Sequence, residues 1–210
     1  MEQVAKQIAA KLLQIKAIKL EPANHFTWAS GWFSPIYCDN RKTLSYPEVR
    51  NFITDSFVKV IKEHFADFDV VAGVATGAIA QGVLVAKAMN KPFVYVRSKA
   101  KEHGMGNQIE GYLESGKKVL VIEDLISTGG SSLSAVKAIR EAHCEVIGMC
   151  AIFTYGFQKA DDNFHQENVK LIALSNYDSL IEHALETGYV SENDLKLLQE
   201  WRKNPATWKK

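Results

Sequence analysis

The chain has few cysteines, no long apolar run and no excess of charge of one sign. Its three cysteines are an odd number without the spacing of a metal site, so we expect reduced thiols in a cytoplasmic protein. No apolar stretch approaches the roughly 18 residues of a membrane span, and lysines interrupt the apolar residues of the first segment, which argues against a signal peptide. A net charge of +1 does not favour nucleic acid as a partner. The sequence therefore predicts a protein with neither a membrane nor a nucleic-acid partner.

The length and composition are typical of one globular domain. The chain has 210 residues, of which 47% are apolar and 23% charged, close to the average for soluble proteins. It contains no internal repeat, low-complexity tract or Gly/Ser linker. We therefore expect residues 1–210 to fold as a single domain.

Short apolar runs alternate with amphipathic patterns along the chain. The runs predict strands at about 69–74, 93–96, 119–122, 146–153 and 169–174. The amphipathic patterns predict helices at about 2–18, 45–64, 78–89, 131–142, 177–187 and 192–203. Capping boxes are expected at Ser45 with Glu48 and at Ser191 with Asp194. This alternation predicts an α/β fold with an open, mainly parallel sheet flanked by helices, and an N-terminal helical and loop appendage. Ligands of such sheets bind at the carboxyl ends of the strands.

The segment 119–132, VLVIEDLISTGGSS, combines features that suit a phosphorylated sugar. A buried strand runs into Glu123 and Asp124, whose carboxylates can accept hydrogen bonds from sugar hydroxyls. A loop of small residues then opens a helix, where backbone N–H groups can surround a phosphate. The alternative is an ordinary strand–turn–helix connection whose acidic residues only cap the helix and face water.

The pattern E-D-x-x-[ST]-T-G-G-[ST] resembles the 5-phosphoribosyl 1-diphosphate motif of the type I phosphoribosyltransferases. Three further stretches, 26–50, 72–86 and 95–111, are similar to orotate phosphoribosyltransferases, especially their Gram-positive-like bacterial branch. With residues 151–160, the resemblance is collinear over about 26–160. The resemblance implies the type I fold, in which the N-terminal appendage forms a hood over the base.

The resemblance also implies roles for individual residues. It assigns the ribose hydroxyls to Glu123 and Asp124, and catalysis to these two residues together with Lys101 and His103. The contacts to phosphoribosyl diphosphate are assigned to Arg97, Lys101, His103, Glu123, Asp124, Ser127, Thr128, Gly129, Gly130 and Ser131. The contacts to orotate are assigned to Ser127, Tyr37, Cys38 and Arg41. For Arg41, a plain surface arginine is an equal alternative.

Residues 97–111 place four basic side chains before a run of glycines. A loop of this kind can close over a departing diphosphate and neutralise its charge, although the composition also fits a solvated surface loop. The resemblance implies that the loop reaches the neighbouring site of a homodimer. It also implies a reaction that joins orotate to ribose 5-phosphate, with Mg²⁺ carried mainly by the substrate rather than by protein ligands.

The chain departs from the family pattern at several positions. Phe33 stands where a basic residue is usual, and Gly77 stands where some members have lysine. Residues 154–156 lack an arginine that some members use against orotate. Two alternatives to orotate transfer remain: a phosphoribosyltransferase for a purine or uracil, and a non-catalytic regulator that binds phosphoribosyl diphosphate and nucleic acid.

Overall fold

The computed structural model describes residues 2–28, 30–65, 67–98 and 108–209. The strands are β1 (Ile18–Leu20), β2 (Phe26–Thr27), β3 (Phe33–Ser34), β4 (Ile36–Cys38), β5 (Val70–Val74), β6 (Phe93–Val96), β7 (Ile109–Glu110), β8 (Lys118–Ile126), β9 (Glu145–Thr154) and β10 (Leu171–Asn176). The helices are α1 (Glu2–Gln14), α2 (Pro47–His64), α3 (Ile79–Met89), α4 (Gly130–Glu141), α5 (Gln158–Gln166), α6 (Tyr177–Glu186) and α7 (Glu192–Lys203).

Six strands form the main sheet in the order β10-β9-β8-β5-β6-β7. All neighbouring pairs are parallel except β6 and β7, which run antiparallel. The five predicted strands all lie in this sheet, so the mainly parallel α/β fold is confirmed. The short edge strand β7 was not predicted, because two residues are too few to show a pattern of apolar and polar side chains.

Helices cover both faces of the sheet. On β8, Leu120 and Ile122 contribute to one cluster of buried apolar side chains, together with residues from α1, α2, α3, α6 and α7. Val119 and Val121 contribute to a second cluster, with residues from α4 and α5. Burial on both faces explains why these strands appear in the sequence as continuous apolar runs rather than alternating ones.

Two helix boundaries differ from the predictions. The first helix ends at Gln14 rather than near residue 18, because Lys16 adopts a left-handed conformation (φ 54°) and the chain then enters β1. The second helix begins at Pro47, and Tyr46 is its N-cap, without a side-chain capping bond among the described residues. Ser45 instead ends a 3₁₀ helix, so the predicted capping box with Glu48 is wrong. The capping box of Ser191 with Asp194 is confirmed.

The N-terminal appendage packs against the body of the molecule. Its first helix contacts α6 and β10, while β1 pairs with β4 and β2 pairs with β3. The Trp28 ring lies 5.2 Å from the Tyr155 ring and 5.7 Å from the Trp201 ring, between centroids. We call residues 26–46 the hood.

Within the described ranges, the helices are too short or too polar to cross a membrane.

Candidate active site

The strand ends and the hood enclose a cavity of about 520 Å³. It is lined by residues 38, 39 and 41 of the hood, 74–77 at the end of β5 and in the turn after it, 123–125 of β8, and 127–132 of the following loop and the start of α4. The cavity therefore brings together most of the residues that the sequence singled out, at the carboxyl edge of the sheet where parallel strands bind ligands.

The two acidic residues at the end of β8 have different surroundings. Glu123 is only 4% exposed, and its carboxylate accepts hydrogen bonds from the Ser132 hydroxyl (2.7 Å) and the Asp124 backbone N–H (2.9 Å). Burial raises the pKa of Glu123 to about 8, and the neighbouring Asp124 charge adds to this, while the Ser132 hydrogen bond opposes it. The inner carboxyl therefore retains a proton at neutral pH, whereas Asp124 is partly exposed and lines the cavity.

The turn after β5 lies directly against Asp124. A Cβ atom built on Gly77 would overlap the Asp124 carboxylate, and the Ala75–Thr76 peptide bond of the same turn is cis. A lysine at position 77, as in some members of the family, would displace Asp124 from its present place. Because glycine has no Cβ atom, it leaves room for the Asp124 carboxylate beside this turn.

The loop between β8 and α4 has the geometry of a phosphate site. Gly129 is the N-cap of α4 with φ 81°, and a Cβ on it would meet the Phe164 ring at 2.7 Å. The Thr128 carbonyl accepts a hydrogen bond of 2.9 Å from the Asn163 side chain, which holds the loop from α5. Gly130 lines the cavity, and a Cβ on it would meet no described atom within 4 Å. The N-terminal N–H groups of α4 are thus available to an anion.

The hood residues differ in how they meet the cavity. Cys38 lines it, and burial raises the pKa of its thiol well above the usual value, with Asp124 and Asp39 adding to the effect. The Arg41 side chain is 58% exposed and is held by Asp39 through a 2.6 Å Nε–Oδ1 contact. That contact lowers the pKa of Asp39. Tyr37 is exposed, packs on Phe26 with ring centroids 5.6 Å apart, and is not among the described lining residues.

The sequence interpretation missed Asn40. This residue is 2% exposed, and its side-chain amide donates a 2.6 Å hydrogen bond to the Asp124 carbonyl. Its Oδ1 atom lies 3.4 Å from the Cys38 sulfur. The only signal in the sequence was its place in the run 37–41, because nothing local shows that its partner lies on β8.

The basic loop lies mostly outside the described residues, and this includes Lys101 and His103. Its described ends are held together: the Arg97 backbone N–H donates to the Gln108 carbonyl at 2.9 Å, and the Arg97 guanidinium lies 3.5 Å from the Glu110 carboxylate. Arg97 follows β6, so the loop leaves from the carboxyl edge of the sheet.

The unusual Phe33 has an apolar environment. Its half-buried ring packs against the cluster on the hood side of the sheet, with its centroid 4.6 Å from the His25 ring. Its carbonyl accepts a 3.1 Å hydrogen bond from the Trp201 indole. A phenylalanine therefore replaces the usual basic residue because, in this chain, the position is part of a packed aromatic contact.

Comparison with known proteins gives the class first. A family profile described as "Phosphoribosyl transferase domain" matches residues 47–185, which include the sheet's central strands, the acidic pair and the phosphate loop. The fold and the cavity thus define a phosphoribosyltransferase.

Similar sequences and structures identify the family within this class of enzymes. An orotate phosphoribosyltransferase of Porphyromonas gingivalis is 59% identical over 208 residues, covering 99% of each chain. One of Listeria innocua is 57% identical over 207 residues, again covering 99% of each. The crystal structure of orotate phosphoribosyltransferase from Aeropyrum pernix superposes with a TM-score of 0.76 at 26% identity, covering 88% of this chain and 99% of that one. The chain belongs to the orotate phosphoribosyltransferase family.

Proposed function

We propose that the chain transfers ribose 5-phosphate from 5-phosphoribosyl 1-diphosphate to orotate, giving orotidine 5′-phosphate and diphosphate in pyrimidine biosynthesis. The main support for the proposal is that one cavity beneath the hood is lined both by the Glu123–Asp124 pair and by the N-terminus of α4. The family membership supports the same activity.

The two ends of the cavity suit the two ends of the sugar phosphate. Residues 127–131 would surround the 5-phosphate with backbone N–H groups and hydroxyls at the positive end of α4. Asp124, and the buried Glu123 behind it, would accept hydrogen bonds from the ribose hydroxyls. The base would then lie toward Ser127 and Cys38, under the hood.

The chemistry needs no covalent enzyme intermediate. The ring nitrogen of orotate attacks the anomeric carbon, and a C–N bond forms as the C–O bond to diphosphate breaks. The proton of that nitrogen passes to water or to the departing diphosphate. Positive character on the ribose is stabilised by the Asp124 carboxylate, and negative charge on diphosphate by basic groups. We assign the second role to Arg97, Lys101 and His103, in a loop that closes over the site and excludes water.

The residues present fit Mg²⁺ held mainly by the substrate. In the described ranges, no group of three or more His, Cys, Asp or Glu side chains is arranged to hold a metal. The acidic pair at the cavity edge would help to hold the cation, with the other ligands supplied by the substrate and water. When bound, Mg²⁺ would neutralise charge on the leaving diphosphate.

We further propose a cytoplasmic homodimer in which the loop 97–111 contributes to the neighbouring site. The described ends of the loop are held together by the antiparallel pair β6–β7 and by the Arg97–Gln108 hydrogen bond. All three cysteines lie in described ranges and are free, which suits a reducing compartment.

A competition between bases tests the proposal. The protein is incubated with phosphoribosyl diphosphate, Mg²⁺ and equal amounts of orotate, uracil and adenine, and the nucleotides are identified by mass spectrometry. We expect orotidine 5′-phosphate alone. A different nucleotide would reassign the base, while binding of phosphoribosyl diphosphate without any product, together with a salt-dependent gel shift on nucleic acid, would favour a regulator.

A further inference from the structure

The turn that follows β5 presents unpaired backbone N–H groups beside the cavity. Residues 74–77 line the cavity. The N–H groups of Ala75 and Ala78 donate to backbone carbonyls at 2.8 and 3.0 Å, whereas those of Thr76 and Gly77 have no acceptor among the described residues. Because such N–H groups can bind phosphate oxygens, the turn suits the diphosphate group of phosphoribosyl diphosphate.

The start of α3 determines where this turn lies. The N-cap of the helix is Ala78, which makes no side-chain capping hydrogen bond with a described residue. A Cβ atom on Gly73 of β5 would meet the Ala78 carbonyl oxygen at 2.8 Å, so the helix begins in close contact with the strand. Since the turn joins these two elements directly, a small rotation of α3 would shift its N–H groups.

A buried glutamine holds the first turn of α3. Gln81 is 2% exposed, and its Nε2 atom donates a 2.8 Å hydrogen bond to the Thr54 hydroxyl on α2. That hydroxyl donates its single proton to the Arg50 carbonyl at 2.9 Å, so it can only accept from Gln81. The amide therefore points its NH2 group at Thr54, and its Oε1 atom is enclosed without a partner among the described residues.

The same contacts continue to the hood. Arg50 lies one helical turn before Thr54, and its Nη1 atom donates to the Leu44 carbonyl at 3.3 Å. Leu44 belongs to the 3₁₀ helix Asn40–Ser45, which is part of the hood. Gln81, Thr54 and Arg50, which we call the Gln81 network, thus connect the start of α3 through α2 to the hood.

Stability alone does not account for a glutamine at this position. A buried amide oxygen without a partner loses its hydrogen bonds to water without replacement, and a methionine of similar shape would avoid this loss. The glutamine can bond to Thr54, and a hydrogen bond restricts direction and distance more narrowly than an apolar contact does. The position that this bond imposes on α3 therefore explains Gln81 better than any stability that it adds.

We propose that Gln81 is a positioning residue for the transfer reaction. Its bond to Thr54 fixes the start of α3, and thereby holds the N–H groups of Thr76 and Gly77 in place for the diphosphate group. Gln81 is not among the described lining residues of the cavity, so it acts through the turn rather than on the substrate. This inference rests on the proposed function, in which phosphoribosyl diphosphate brings its diphosphate group to this side of the cavity.

The test removes the bond from each side. Gln81→Met and Thr54→Val keep the shape of the side chains and are studied singly and together, while Thr54→Ser keeps the hydroxyl. Ser56→Ala is the matched control, because Ser56 is another buried residue of α2 whose hydroxyl donates to a backbone carbonyl four residues earlier, at 2.7 Å. Inorganic diphosphate, phosphoribosyl diphosphate and orotidine 5′-phosphate are titrated against each protein with Mg²⁺, and thermal unfolding is followed without ligand.

We expect Gln81→Met and Thr54→Val each to bind inorganic diphosphate and phosphoribosyl diphosphate about fivefold to tenfold more weakly. The affinity for orotidine 5′-phosphate, which has no diphosphate group, should change by less than about twofold. The double variant should bind no more weakly than either single one, because both substitutions remove the same bond.

Thr54→Ser and Ser56→Ala should bind all three ligands as the wild type does. The unfolding temperature of Gln81→Met should be unchanged or higher, because no buried amide oxygen is left without a partner. In steady-state kinetics, the KM for phosphoribosyl diphosphate should rise in Gln81→Met, and the KM for orotate should not.

Unchanged diphosphate binding in both Gln81→Met and Thr54→Val would overturn the positioning role. Equal weakening of diphosphate and orotidine 5′-phosphate, with a lower unfolding temperature, would also overturn it, since the network would then serve stability alone. Additive losses in the double variant would show that the two side chains act separately, against the proposal. A wild-type protein that binds phosphoribosyl diphosphate but does not use orotate would overturn the proposed function alone, because the diphosphate titration needs no base.

Discussion

The side-chain amide of Asn40 donates a 2.6 Å hydrogen bond to the backbone carbonyl of Asp124, 84 residues further along the chain. This contact joins the hood to the strand that carries the acidic pair. Because Asn40 also lies beside Cys38, one buried amide positions both the sugar side and the base side of the cavity. The two parts of the site are thus held in register by a side chain that itself need not touch the substrate.

Replacing Asn40 with alanine is expected to destabilise the protein and weaken catalysis together. The Asp124 carbonyl, which is partly buried, would lose its donor, at a cost of about 1–3 kcal/mol in the free energy of unfolding. A shift of the carboxylate by a fraction of an ångström should lower kcat about tenfold or more. Urea unfolding and steady-state kinetics measure both effects. Asn51→Ala, an exposed position on α2, is the control and should change neither; an active, stable Asn40→Ala protein would contradict the positioning role.

Replacing Glu123 with glutamine is expected to stabilise the substrate-free protein at alkaline pH while impairing turnover. The folded-state pKa of about 8 lies above the ordinary 4.5, so the folded protein holds a proton that the unfolded chain releases. This contribution to stability is complete below the unfolded pKa and is lost as pH rises through about 8. Glutamine is neutral throughout, so its advantage over the wild type should grow from pH 5 to pH 9.

Thermal unfolding of the wild type and Glu123→Gln across this pH range tests the sign. The glutamine oxygen can keep the Asp124 N–H bond, and its amide can donate to the Ser132 oxygen, so the fold should be retained. Turnover should fall roughly tenfold to a hundredfold, since an NH2 group replaces one carboxyl oxygen and cannot accept a hydrogen bond from a ribose hydroxyl. A variant less stable than the wild type at pH 9 would contradict a raised pKa of Glu123 in the folded protein.

Restoring the basic residue that the family usually has at position 33 is expected to destabilise the folded protein. Phe33→Lys would place an ammonium group against His25 and the apolar cluster, at a cost of about 1–3 kcal/mol in the free energy of unfolding. The KM for orotate should not fall. Phe33→Leu, which keeps the position apolar, should cost less. A lower KM for orotate in the lysine variant would mean that the position faces the substrate.

The shared-site proposal predicts complementation between two inactive proteins. Lys101→Ala removes the basic loop group and Asp124→Asn alters the sugar site, so each homodimer should lose turnover by orders of magnitude. A hybrid dimer would contain one site with both native groups if the loop crosses to the neighbouring subunit. Each hybrid should therefore have about half of wild-type activity, from one native site in two. A random mixture of refolded subunits, in which about half of the dimers are hybrids, should have about a quarter. Activity no higher than that of the parents would indicate self-contained sites.

Particular residues show how far the sequence could predict this structure. The continuous apolar runs predicted the five main strands, and the Glu123–Ser131 motif predicted the site, because both signals are local. Asn40 was missed because its partner lies on β8, 84 residues further along the chain. The environment of Phe33 comes from its contacts with His25 and Trp201, and Trp201 lies far from it in the sequence. The raised pKa of Glu123 likewise follows from burial that only the folded chain creates. The assignments of Lys101 and His103 stay predictions, as does the Mg²⁺ requirement.

The most direct test of the central claim is the loss of orotate's ultraviolet absorbance when protein, orotate, phosphoribosyl diphosphate and Mg²⁺ are mixed. We expect a loss that requires all of these components and that Asp124→Asn abolishes or slows by orders of magnitude. Unchanged absorbance with folded wild-type protein, under conditions in which phosphoribosyl diphosphate binds, would contradict the proposed transfer to orotate.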